Sequence, residues 1–206
     1  MSFDHVFWGF ARLPNHAHLG GISDSDADLN VTYGREVGDA YPSEVSIHVD
    51  PTKPDKTILG EVLRNVGCLI IVSRRLKEFL QERDLPDVEY LPLKVYNHKN
   101  RLVQKDYFII NPFRPQACLN IPACGFTWRA KPGRDPRYIK QFVVDNSQCT
   151  SLPLLFRPEP LFNYVLIHRD LAQAIDAAGF EGNFWIEPHF LDGVSLMGEV
   201  INHYRS

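Results

Sequence analysis

The sequence predicts an α+β fold, mostly antiparallel β-structure with two short strand–helix units, in a single globular domain spanning residues 1–206. Three observations predict it. Short apolar runs with period-two alternation recur along the chain, and Gly and Pro punctuate it at close intervals. Helical spacing of apolar residues stands out at two places, each directly after a strand-like run. With 44% hydrophobic and 12% aromatic residues, the chain can bury a sizeable core.

Residues 1–60 read as a β-rich N-terminal part. Pro14, Gly20, Gly21, Gly34, Gly38 and Pro42 break it into short pieces. Val45-Ser46-Ile47-His48-Val49 alternates, which puts Val45, Ile47 and Val49 on one face of a strand. Asp50-Pro51-Thr52-Lys53-Pro54 ends it. Leu69 to Val72 then predicts a strand that runs straight into a helix. Ser73 is placed as its N-cap, and Leu76, Phe79, Leu80 and Arg83 form one stripe. No Glu or Gln stands three residues after Ser73, so the capping box is absent, and Pro86 is expected to stop the helix. A hairpin follows: Leu91, Leu93 and Val95 alternate, Asn97-His98-Lys99-Asn100 turns, and Tyr107 to Ile110 returns.

The last third repeats the strand–helix pattern. Tyr164 to Leu171 mirrors Leu69 to Leu76, Leu171, Ala174, Ile175 and Ala178 form the stripe, and Gly179 suits the position after the helix. Phe180 falls where Leu85 does, so the pattern is either an internal repeat or convergence on a common strand–cap–helix unit. Between hairpin and second unit, Asn111 to Pro136 carries five prolines and little predicted regular structure, which marks it as a binding loop.

The residues of chemistry give no active-site constellation. No Walker loop, dinucleotide fingerprint, nucleophile elbow or HExxH stretch occurs. Cys118 and Cys124 miss the spacing of a zinc knuckle, and His16 and His18 sit between turn residues, so neither a metal nor a cofactor is expected. Cys124 beside Gly125 is the one candidate nucleophile, with His98, His168 or His189 as base, while Glu187 and Asp192 are paired acids only in sequence. Catalysis is therefore not expected. Met1 to Trp8 lacks the features of an export signal, and no apolar run is long enough to cross a bilayer. Cys68, Cys118, Cys124 and Cys149 read as free thiols in a reducing cytoplasm.

Charge is uneven although the net value is only −3. Ser23 to Asp50 holds seven acids against Arg35, a local −6; Lys94 to Lys140 holds ten bases against two acids, a local +8. The two segments either pair with each other as solvated faces or steer a charged partner onto one side. Interleaved aromatics in the basic segment also keep single-stranded RNA open as a ligand.

In the middle of the chain the residues arrive in a known order: Leu69 to Ser73, Val88 to Val95, Asp106 to Pro112, Cys118-Leu119-Asn120, Leu154 to Arg157 and Val165 to Phe184. Together they resemble a bacterial immunity-protein family of polymorphic toxin systems, formerly a domain of unknown function and now numbered eleven among the immunity families. The resemblance covers residues 69–185 and leaves the first third unassigned; where the family carries an acid, this chain has Asn120. It implies a non-enzymatic, cytoplasmic protein that binds and neutralises a cognate toxin or secreted enzyme encoded nearby. Alternatives are an inhibitor or chaperone of a secreted hydrolase such as a protease, an RNA-binding module, and a Cys124-centred hydrolase. For the contact surface the residue types point first to Arg114, Trp128, Arg129, Arg134, Arg137 and Tyr138, and second to Asp24, Asp26 and Asp28.

Overall fold

The computed structural model describes residues 3–23, 31–129, 136–149 and 151–196. After strand β1 (His5–Phe10), six strands close a barrel: β2 (His18–Ile22), β3 (Ser46–Val49), β4 (Val62–Asn65), β5 (Ile70–Ser73), β6 (Val88–Tyr96) and β7 (Tyr107–Pro112). Around the barrel the order is β2-β3-β6-β7-β5-β4, antiparallel except for the pairs β3·β6 and β2·β4. The helices are α1 (Arg74–Gln81), the single turn α2 (Ile121–Cys124) and α3 (Arg169–Ala177). The remaining strands are β8 (Thr127–Trp128), β9 (Pro136–Ile139), β10 (Leu155–Phe156), β11 (Leu166–His168), β12 (Asn183–Ile186) and β13 (Val194–Ser195). They form an antiparallel sheet β10-β11-β1-β12 and a small sheet β13-β9-β8.

Three hydrophobic clusters lie in series. The first fills the barrel with Leu19, Ile47, Leu63, Ile71, Leu93 and Ile109. The second lies between the barrel and the β1 sheet, where Ile70, Val72 and Ile110 meet Trp8, Ile167 and the buried faces of α1 and α3. The third lies beyond that sheet and gathers Phe7, Phe156, Leu166, Cys124 and Ile139. Successive residues of one strand thus serve different clusters: Ile71 points into the barrel, Ile70 and Val72 away from it. A strand buried on both faces has no place for a polar residue, which is why Leu69-Ile70-Ile71-Val72 is apolar without interruption. β3 has one solvated face, so it keeps its alternation: Val45, Ile47 and Val49 are buried and His48 is exposed.

Both strand–helix units form where the sequence places them. Ser73 Oγ accepts from Leu76 N at 3.3 Å, and in place of a capping-box acid the same hydroxyl donates to Glu61, which comes from outside the helix. Pro86 does not stop α1; the helix ends at Gln81 and the chain leaves through Asp84 at φ 46°. In the second unit Asp170 N donates to His168 Nδ1, and Gly179 takes φ 73° after the helix. Leu85 and Phe180 pack in the same cluster, yet β5 sits between β4 and β7 while β11 sits between β10 and β1. The units are alike locally and differ in their neighbours.

The hairpin of β6 and β7 holds in register from Val88↔Pro112 to Leu93↔Tyr107, and Asn97 Oδ1 fastens its tip by accepting from Lys99 N and Arg101 N. The stretch Asn111 to Pro136 departs from the expected irregular loop. It contains the end of β7, α2, β8 and the first residue of β9. Elements of two to four residues are too short for periodicity to register.

If β5 is a wall between two clusters, Ile70→Ala and Ile71→Ala should each cost about 2–5 kcal/mol by urea denaturation. The exposed Gln81→Ala should stay within about 0.5 kcal/mol. A cheap Ile70→Ala would show that the barrel is not sealed against the β1 sheet.

Candidate partner-binding surface

A short corner launches the hairpin that carries most of the predicted contact residues. Asn120 Oδ1 accepts from Ala123 N at 3.1 Å and caps α2, and Gly125 at φ 60° turns the chain into β8. An acid at position 120 would accept the same bond, so an amide and a carboxylate are equivalent as this cap. β9 returns beside β8 with Thr127 opposite Tyr138 and Trp128 opposite Pro136, across an irregular register. The hairpin is tied down at its base, where Lys140 N donates to Cys124 O at 3.0 Å and Ile139 is buried in the third cluster.

Trp128 is half-buried against Phe126, ring centroids 5.2 Å apart, and is not a core aromatic. Tyr138 is half-buried, whereas Arg129 and Arg137 are exposed. Arg129 and Pro136 also line a crevice of about 70 Å³ together with Tyr33 and Phe162. The structure therefore brings Trp128, Arg129, Arg137 and Tyr138 together on one two-stranded unit. Arg134, Asp24, Asp26 and Asp28 lie outside the described residues.

Arg114 has a setting of its own. It takes φ 62° after β7, and its Nη1 lies 3.1 Å from Asp87 Oδ1 at the start of β6. With the arginine side chain 69% exposed, that pair contributes little to stability. Between the acidic and basic segments, one ion pair joins described residues, Lys94 Nζ to Glu44 Oε2 at 2.5 Å.

Sequence reasoning passed over Arg157, which is buried at 2% exposure in the run Leu154 to Arg157. Its Nε donates to Pro112 O at 3.2 Å and its Nη1 to Phe162 O at 2.6 Å, so the guanidinium ties the end of the barrel to the loop after β10. Burial pulls its pKa down to about 10. Gly34, at φ 61°, lies against it; a Cβ there would come within 2.7 Å of Arg157 Cδ. Nearby, Glu89 accepts from Val37 N, Gly38 N and Asn111 Nδ2, which clips the first third of the chain onto the hairpin of β6 and β7.

Cys124 is closed to chemistry. It is buried rather than exposed, burial pushes its thiol pKa up, and Sγ is held against the backbone N and O of Val143, each at 3.4 Å. The candidate bases are engaged elsewhere: His98 lies in the turn after β6, His168 caps α3, and His189 packs on Phe190. Glu187 takes Arg169 in a bidentate pair at 2.6 Å for both bonds, and Asp192 accepts from Phe142 N. All four cysteines are free thiols. Among the described residues no three His, Cys, Asp or Glu converge as metal ligands.

The immunity protein family Imm11 matches residues 14–185, more than half of the chain. The chain belongs to this family. No curated protein matches it. The family match starts well before Leu69, so most of the first third, expected to stand outside the likeness, lies within it. The barrel gives the physical reason, because β2, β3 and β4 supply three of its six strands and residues 69–185 cannot close it alone. Within the matched stretch, Glu89, Asn111, Asn120 and Arg157 all make hydrogen bonds that hold the fold.

Replacing Arg157 by Ala should cost about 3 kcal/mol or more, since it leaves two carbonyls without a donor and opens a void. Arg157→Lys should recover part of the loss in the same melts. Equal stability of Arg157→Ala and the parent would show that the guanidinium holds nothing together.

Proposed function

We propose that this Imm11 chain is a non-enzymatic immunity protein that binds one cognate toxin or secreted enzyme in the producing cell and blocks it. The β8–β9 hairpin is its main contact surface. Family membership carries the first part of this reading. The second rests on two exposed arginines, Arg129 and Arg137, set beside the half-buried rings of Trp128 and Tyr138 on a unit anchored at its base. Interfaces draw most of their binding energy from a few such Arg, Tyr and Trp anchors. A sheet-borne anchor loses less side-chain freedom on binding than one on a loose loop. Among the described residues no helix is long and apolar enough to cross a membrane.

Co-expression of this chain with a toxin-like gene product sought in its genomic neighbourhood should restore growth that the toxin alone stops. Reversing Arg129, Arg134 and Arg137 to Glu should weaken binding of that product by at least ~2 kcal/mol in isothermal titration, with melting temperature nearly unchanged. Unchanged affinity would discard the hairpin and turn attention to Asp24, Asp26 and Asp28.

A further inference from the structure

We propose that the open edge of β12 takes up a strand from a partner protein, an extended segment carrying basic residues, which lengthens the sheet β10-β11-β1-β12. The register of β1 leaves backbone groups for it. Trp8 N donates to Val165 O at 2.9 Å, toward β11, and Ala11 N donates to Gly182 O at 3.0 Å, toward β12. Hydrogen-bonded and non-hydrogen-bonded pairs alternate in an antiparallel ladder, so Phe7↔Ile186 and Gly9↔Phe184 are the hydrogen-bonded pairs of β1 and β12. The backbone N–H and C=O of Asn183 and Trp185 therefore point away from β1, and among the described residues nothing pairs with them. The opposite edge of the sheet is closed. There β10 is two residues long, and beyond it Gln116 N donates to Arg157 O at 2.8 Å and Glu159 N to Gln116 O at 2.9 Å.

The side chains of β12 do not guard this edge. Asn183-Phe184-Trp185-Ile186 carries no charge and no proline, the devices that usually keep an edge strand from pairing. Phe184 is 39% exposed, and the residue opposite it on β1 is Gly9, which offers it no side chain. A strand laid on the open edge would set a side chain beside the Phe184 ring, at the short spacing of a non-hydrogen-bonded pair. Charge selects the occupant. Glu181 precedes the strand and is exposed, and Asp176 is exposed with its carboxylate on Trp185 Nε1 at 2.7 Å; neither enters an ion pair among the described residues. The arginines of this part of the fold are committed, Arg169 to Glu187 and Arg75 to Ala178 O and Glu61. A second copy of β12 would bring the same acids against each other, whereas a basic segment meets them with opposite charge. In such strand addition the main-chain bonds supply the pairing, and here Phe184 and the acids supply the preference.

This inference rests on the reading of the chain as a binder of a protein partner, but its test needs no toxin. Fluorescein-labelled hexapeptides, Lys-Thr-Val-Thr-Val-Lys and Glu-Thr-Val-Thr-Val-Glu, would be titrated with the full chain at low salt and followed by anisotropy. The lysine peptide should bind, and the glutamate peptide should bind at least about tenfold more weakly. Methylating every backbone nitrogen of the lysine peptide keeps its charge and removes its main-chain donors, and should cost about tenfold or more in affinity. Glu181→Lys should cut the preference for the lysine peptide to about threefold or less, with a melting curve to show that the variant is folded. The peptide comparisons use the parent chain alone, so they decide the matter even where a variant does not fold. No binding of the lysine peptide, equal binding of its methylated form, equal binding of the glutamate peptide, or a folded Glu181→Lys with the parent's preference would each overturn the proposal. A dimer in sedimentation equilibrium that Phe184→Lys dissolves would also overturn it, by giving the edge to a second copy. Failure here leaves the growth rescue and the hairpin variants to stand on their own, and failure of the hairpin leaves this edge intact.

Discussion

Burial of β5 and β1 on both faces is the constraint on which the rest of the structure depends. β5 separates the inside of the barrel from the helical layer, and β1 separates that layer from the third cluster. Each fully buried aliphatic or aromatic side chain is worth roughly 1.5–3 kcal/mol relative to leaving it exposed. The middle cluster draws on the barrel, both helices and the β1 sheet at once, so no layer can be removed without exposing the apolar side of the next. The long antiparallel hairpin of β6 and β7 gives the barrel a local start, while β1 must find β11 and β12 from the far end of the sequence.

What the sequence showed was whatever is local. The alternation of Val45, Ile47 and Val49, the turn at Asn97 to Asn100, the caps at Ser73 and the glycine at Gly179 depend on residues a few places apart, and each is where the pattern put it. Closure of the barrel was not legible. The parallel pairs β2·β4 and β3·β6 join strands across long connections, and nothing in either strand names its partner. The same limit hid a buried charge inside the fold. Arg157 looks like the polar end of an apolar run until its carbonyl partners arrive from Pro112 and Phe162. On the candidate surface, residue type alone named Trp128, Arg129, Arg137 and Tyr138 together with Arg114; the fold sets the first four on β8, β9 and the residue after β8, and Arg114 apart from them beside Asp87.

The polar side chains that fasten the fold and those proposed to meet a partner are different sets. Glu89 and Asn111 clip residues 35–38 to the barrel, Asn120 caps α2, and Arg157 ties the end of β7 to the loop after β10. These are tasks of geometry, and they tolerate only side chains that make the same bonds. Arg129 and Arg137 are exposed on a hairpin whose buried contacts come from Ile139 and Phe126. A scaffold arranged in this way can hold its shape while its recognised partner varies.

Cys124 joins the two levels. Its carbonyl accepts from Lys140 N and Gln141 N, its Sγ lies against Val143, and its side chain is buried among the third cluster. The residue therefore sets where β9 emerges, and with it the direction in which Arg137 and Tyr138 are presented. A small, apolar, soft side chain suits that position, since burial disfavours the thiolate that nucleophilic chemistry would need. The feature that looked most like an active-site cysteine in the sequence, a thiol flanked by Ala123 and Gly125, is explained by the corner itself: Ala123 and Gly125 are the capped turn and the left-handed exit of α2. The same three residues that suggested chemistry are the ones that aim the proposed binding hairpin.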